Sequence, residues 1–184
     1  MTNRIDDTIN TVRRVSSELR PRILDDLGLV ATIEWQAQQF QARTGIICQF
    51  DALVENGDLS QDRATAIFRI LQEALTNILR HAQATRVNIL IEEEEGEYVL
   101  EMRDNGRGIT EEERTGSRSL GLLGMRERAQ LIGGTIDITG LAGKGTVLTV
   151  RVPIPSQAAD GRASDASENE APIRPLGNGP EQVS

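Results

Sequence analysis

Glu73, Asn77, Arg80 and His81 recur at intervals of three and four in IFRILQEALTNILRHA, residues 67–82. At about 100° per residue these four side chains share one stripe of a helix. A carboxylate and an amide oxygen within a turn suit Mg²⁺, a hard cation that keeps waters and borrows ligands from a substrate's phosphates. A guanidinium and an imidazole beside them can neutralise phosphate oxygens. An ordinary solvated helix face with one i,i+4 pair reads the same way. In MRDNGRGI, residues 102–109, a strand delivers Asp104, and Gly106 and Gly108 then let the backbone turn tightly and approach a ligand. A carboxylate buried at a strand end can accept a hydrogen bond from an exocyclic amine such as a purine's. A plain loop would also explain this segment. In SLGLLGMRERAQLIGG, residues 119–134, Gly121 and Gly124 precede and open a helix. Free N–H groups there attract phosphate, and Arg126 and Arg128 add positive charge. A simple helix start looks alike. GKGT, residues 143–146, holds Lys144, the only lysine of the chain, and reads as a hairpin turn or as a ligand-facing one.

These residues need elements to position them. Ala64, Phe68, Leu71, Leu75, Ile78, Leu79 and Ala82 form the apolar stripe opposite Glu73 and Asn77, predicting an amphipathic helix over Ser60–Ala82 with Ser60 or Asp62 as N-cap. Alternation at Val87, Ile89 and Ile91, and at Tyr98, Leu100 and Met102 beyond Gly96, predicts a hairpin ending in the solvated run Glu92–Glu95. Ile46–Phe50 reads as a strand. Leu122, Met125, Ala129 and Ile132 mark one side of a helix over about Gly121–Leu131. Thr135–Thr139 and Thr146–Val152 read as a second hairpin. The polar stretch from Asn105 to Leu120 is too long for an inert connector. Ahead of these, Ile5, Ile9, Val12, Val15 and Leu19 predict a helix broken at Pro21, and a second helix runs from about Leu29 to Arg43 with Gly45 as its stop. Residues 156–184 are polar and lack aromatics, so they cannot offset their ordering entropy and read as a disordered tail. The expected division is 1–45, 46–155 and 156–184.

Composition narrows the function. In 184 residues, 38% hydrophobic and 26% charged, no apolar stretch is long enough to span a bilayer. Cys48 is the single cysteine, so no disulfide forms within the chain, which points to the cytoplasm. A net charge of -8 argues against nucleic acid as a partner, so a phosphate ligand would need local arginines, helix ends and a metal.

Taken in order, EALTNILRHA, DNGRGI, GLLGMRERAQLIGG and GKGT resemble the asparagine box, two glycine boxes and closing turn of the ATP-binding domain shared by sensor histidine kinases, type II topoisomerases, mismatch-repair ATPases and heat-shock chaperones. LRPRILDDLGLVATIEWQAQQFQARTGI, residues 19–46, is similar to the link from dimerisation hairpin to catalytic domain in the nitrate-sensor-like kinases. The resemblance implies an α+β fold, a two-layer sandwich of a mixed sheet and helices of the Bergerat type, binding ATP and Mg²⁺. It implies that Asn77 and Glu73 serve the metal and catalysis, and that Arg80 and His81 face the phosphates. Asp104 would read adenine, with Gly106, Gly108 and Thr146 shaping the base pocket. Residues 107–120 would form a lid, with Gly121, Leu122, Gly124 and Met125 at its hinge and at the nucleotide.

The family's phosphoacceptor histidine has no counterpart, because His81 is the only histidine. The chain is therefore expected to be a fragment of a longer, soluble or membrane-anchored kinase. Its partners would be a dimerisation domain carrying the acceptor histidine, homodimeric in the full-length kinase, and a response regulator. An anti-sigma-type serine kinase and a non-catalytic nucleotide-binding module are the alternatives. The linker speaks against the first, and intact Glu73, Asn77 and Asp104 against the second.

Overall fold

The computed structural model describes residues 22–54, 59–115, 120–140 and 143–154. The predicted helix before Pro21, the tail 156–184 and part of the lid stretch lie outside the described residues. Helix α1 spans Arg22–Thr44 but breaks at Gly28, whose φ of 77° and ψ of 177° are not helical. The predicted helix from Leu29 is thus the part after the break. The buried Thr32 hydroxyl donates across it to the carbonyls of Gly28, at 2.6 Å, and Ile23, at 3.3 Å. Gly45, at φ 75°, ends the helix by donating to the Gln41 carbonyl at 2.9 Å, as its predicted role as a stop requires.

Five strands follow: β1 (Ile47–Leu53), β2 (Arg86–Glu94), β3 (Glu97–Asp104), β4 (Thr135–Gly140) and β5 (Thr146–Pro153). They lie in the order β1-β2-β3-β5-β4, with β1 parallel to β2 and the other pairs antiparallel. Helix α2 (Gln61–Asn77), continued by a π-helical turn over Ile78–Ala82, makes the crossover between the parallel strands. A five-residue helix, α3 (Glu111–Thr115), sits in the lid stretch, and α4 (Leu120–Leu131) precedes the second hairpin. Among the described residues, no helix is long and apolar enough to cross a membrane.

Strand alternation builds the inner layer. Register sets Phe50, Ile89, Met102, Leu148 and Ile138 in one row across all five strands, and Ile91, Leu100, Val150 and Ile136 in the next. These rows meet Ile67, Leu71, Ala74 and Leu75 of α2, Met125 and Ala129 of α4, and Ile33, Ala37 and Phe40 of α1 in one hydrophobic core. Burial of each large side chain there contributes about 1.5–3 kcal/mol. The α+β, two-layer reading of the sequence holds. On the exposed edge of β1, the Gln41 side chain accepts the Cys48 N–H at 2.8 Å, covering one outward donor of an edge strand.

The two ends of α2 differ in how closely they follow the sequence pattern. Ser60 occupies the N-cap but makes no side-chain cap hydrogen bond; its carbonyl accepts the Ala64 N–H at 3.0 Å. The last turn is π rather than α, so the stripe extrapolated at 100° slips by part of a residue. Ile78 and Ala82 stay buried while Leu79, expected in the apolar stripe, is 49% exposed. The turn closes on Gln83 in the left-handed conformation, at φ 55°.

Candidate functional site

A cavity of about 430 Å³ opens between α2, α4 and the ends of β3 and β5. Its wall brings together Glu73, Asn77, Arg80 and His81 from α2 and the π turn, Asp104 and Gly108 from the end of β3, Gly121, Leu122 and Met125 from α4, and Thr146 from β5. Gly106 and Gly124, expected at the nucleotide, are not among the residues that line it.

Asp104 reaches the cavity because it continues the inward alternation of β3. Its β2 partner is Val87, and the β3–β5 register carried one residue further sets it opposite Thr146. It is only 5% exposed, and its Oδ1 accepts the Gly106 N–H at 2.7 Å. A buried carboxylate needs such donors, because an unsatisfied one is costly. The neighbouring Asn105 clamps the start of β2. Its Oδ1 accepts the N–H groups of Thr85 and Arg86, both at 2.9 Å, and its Nδ2 donates to the Thr85 hydroxyl at 2.9 Å. Gly106 has no Cβ because one would strike the Ala82 carbonyl, and the Arg107 N–H donates to that same carbonyl at 2.8 Å. The π turn and the strand end are thereby stitched together. Widened turns of this kind occur often at functional sites, and here the turn carries Arg80 and His81.

Glu73 and Asn77 sit one turn apart, half-buried, facing the start of α4. A Cβ on Gly121 would collide with the Glu73 carboxylate and lie 3.6 Å from Asn77 Nδ2. Gly124 serves differently, since the Arg128 guanidinium folds back over it, with Nη1 at 3.1 Å from where its Cβ would be. The oxygens of Glu73 and Asn77 are hard donors of the type magnesium takes, two being enough when phosphates and waters complete the octahedron. Among the described residues, no group of three or more His, Cys, Asp or Glu side chains could hold a metal without such help.

The sequence reading missed several wall residues. Met102, Ile109, Ile138 and Leu148 give the cavity its apolar surface. Arg107 and Glu113, within the expected lid stretch, also line it, and their pairing was not foreseen: Nη1 donates to Oε2 at 3.2 Å and Nη2 to Oε1 at 2.7 Å. Glu113 in addition accepts the Thr110 N–H at 3.0 Å, while the Thr110 hydroxyl accepts the Glu113 N–H at 3.2 Å. That reciprocal pair is a capping box, and its T-x-x-E signature was present in the sequence. Hydrogen bonding to Arg107 first, then to the Thr110 N–H, holds the Glu113 carboxyl down at about 2.

Comparison with known proteins gives the family and the fold. Residues 62–156 match the family described as histidine kinase-, DNA gyrase B-, and HSP90-like ATPase. The chain is 33% identical over 153 residues to the signal transduction histidine-protein kinase/phosphatase DegS of Brevibacillus brevis, covering 83% of this chain and 39% of that protein. It is 36% identical over 146 residues to the oxygen sensor histidine kinase NreB of Staphylococcus carnosus, covering 79% and 42%. The chain thus spans about two-fifths of the length of these relatives. Among solved structures, the histidine kinase AdeS of Acinetobacter baumannii shares the fold at a TM-score of 0.61 and 15% identity, over 84% of this chain and 82% of that one. The histidine kinase domain of a blue-light-activated kinase from Erythrobacter litoralis does so at 0.59 and 24%, over 68% and 61%. The match over residues 62–156, more than half of the chain, makes it a member of the histidine kinase-, DNA gyrase B-, and HSP90-like ATPase family.

Proposed function

We propose that this chain is the ATP-binding catalytic part of a two-component sensor histidine kinase. It transfers the γ-phosphoryl group of ATP to a histidine outside these residues, for passage to an aspartate of a response regulator. The reading is carried by one observation: Asp104 at a strand end and the Glu73–Asn77 pair on a helix face the same cavity. In this reading Asp104 accepts the adenine amine, with Gly108 and Thr146 beside the base and Met102, Ile138, Leu148, Leu122 and Met125 excluding water around it. Asn77 and Glu73 would hold Mg²⁺, which would supply charge neutralisation at the phosphates, and Glu73 also orients the reacting centre. Arg80 and His81 offset the remaining charge. Phosphoryl transfer depends on positioning and charge neutralisation more than on covalent help, and these residues provide both. Closure of the lid stretch 107–120 completes the site.

The kinase would act in the cytoplasm, with residues 1–45 joining the dimerisation domain to a catalytic unit at 46–155. Incubation with labelled ATP, alone and with a separate acceptor-histidine hairpin, tests the assignment. Label on the hairpin's histidine, absent without the hairpin, is the expected result. Label on serine of a small partner would instead favour an anti-sigma-type kinase, and failure to bind ATP at all would leave a non-catalytic module.

A further inference from the structure

All three nitrogens of the Arg107 guanidinium, on the wall of the cavity, donate hydrogen bonds. Nε donates to the His81 carbonyl at 2.7 Å, which anchors the group at the π turn beside Arg80 and His81. Its outer edge, Nη1 and Nη2, grips both oxygens of Glu113. That two-pronged edge is the face with which arginine takes carboxylates and phosphates alike. Glu113 has a second set of partners in the Thr110 capping box, so α3 keeps its cap if the ion pair opens. The side chains of Arg107 and Glu113 are 42% and 41% exposed, so the pair is screened and exchangeable rather than locked.

Resting on the ATP reading above, the geometry points to Arg107 as a phosphate-binding residue of the nucleotide site, with Glu113 as the resting counterion that the phosphates of a nucleoside di- or triphosphate displace. Charge supports the exchange. Among the described residues, the lining holds three carboxylates, Glu73, Asp104 and Glu113, against two guanidiniums, Arg80 and Arg107. With Glu113 in place, an incoming polyanion meets a wall of net negative charge. Once Glu113 withdraws with α3, two carboxylates face two guanidiniums and the phosphates take the vacated edge of Arg107. Nucleotide arrival is thereby coupled to release of the lid helix from the π turn.

The test is calorimetry of Mg-ATP and of adenosine on the full chain and four variants. Arg107→Ala should weaken Mg-ATP about ten-fold, the loss of a charged hydrogen-bonding group, and leave adenosine unchanged. Arg107→Lys, which keeps the charge but not the fork, should fall between. Glu113→Gln keeps a capping-box residue but removes the competing charge, and should tighten Mg-ATP roughly three-fold without altering adenosine. Thr110→Ala, which removes the cap and keeps the ion pair, should not tighten it. If Glu113→Gln weakens Mg-ATP as Arg107→Ala does, the pair is a tether and the exchange is refuted. Equal losses of ATP and adenosine in Arg107→Ala would also refute it. A wild-type chain that takes neither ligand defeats the ATP reading and the exchange together, whereas the preceding outcomes defeat the exchange alone.

Discussion

Gly121 at the start of α4 meets the Glu73 carboxylate of α2 with no side chain between them. A methyl group there would have to displace the end of a flexible side chain, not the backbone. Gly121→Ala is therefore expected to fold, with stability changed by less than about 1 kcal/mol, because only a rotamer must yield. On the proposed function, phosphotransfer to a separate acceptor hairpin should nevertheless fall by about ten-fold or more, since a small displacement of Glu73 would misplace a group assigned to the reacting centre. Thermal unfolding and phosphotransfer on the same preparation separate the two effects. Equal activity in the variant would mean that Glu73 is not held in a working position by this contact.

On the proposed reading, in which Asp104 accepts the adenine amine, Asp104→Asn should weaken ATP strongly, by roughly 1.5–3 kcal/mol, because a charged acceptor becomes an amide. Asn77→Asp should alter binding only when Mg²⁺ is present and leave the fold intact. Calorimetry with and without the metal checks both. Unchanged affinity in the two variants would remove the site assignment.

Gly145 shows where a glycine cannot be replaced. It has φ 83°, and a Cβ would run into the Asp104 carbonyl, which is backbone and cannot swing aside. Gly143 has φ 74° but open space around it. Gly145→Ala should therefore cost at least about 2–4 kcal/mol, overpacking added to strain, and Gly143→Ala only about 1 kcal/mol. Denaturant midpoints give the comparison. Because Asp104 moves with its carbonyl, Gly145→Ala should also lose nucleotide affinity.

Glu113 supplies a pH signature. Its carboxyl, ordinarily near 4.5, is held at about 2 by the Arg107 guanidinium and the Thr110 N–H. A lowered folded value means that the stabilisation is complete above 4.5 and is lost as pH falls through about 2. Carboxyl-carbon chemical shifts should place the Glu113 midpoint near 2, and Arg107→Ala should return it towards 4.5. A midpoint already at the ordinary value in the wild-type chain would show that the pair does not persist in solution.

The strands, the helices and the face bearing Glu73 and Asn77 were legible in the sequence because period-2 and period-3.6 patterns are local. So was Asp104, by its place at a strand end before paired glycines. Four things were not. The π turn inserts a fraction of a turn that no apolar spacing announces, so Leu79 was expected inside and lies 49% exposed. The break at Gly28 extends a helix backwards past a residue that normally ends one. The apolar walls Met102, Ile138 and Leu148 read as plain core, since which core residues border a cavity depends on register between distant strands. Arg107 and Glu113 hid in a polar stretch for the opposite reason. Charges six residues apart meet only because Thr110 caps a short helix between them.

Gly28 has a mechanical consequence. After it, Ile33, Ala37 and Phe40 are keyed into the same interior as Leu71 and Ile89, so this stretch turns with the body that carries Asp104. Before it, Leu24 and the Thr32 hydroxyl bond to Ile23 hold a short lever onto that body. Gly28 therefore redirects the chain without uncoupling it, because Leu24 on one side and Ile33, Ala37 and Phe40 on the other are seated in a single interior.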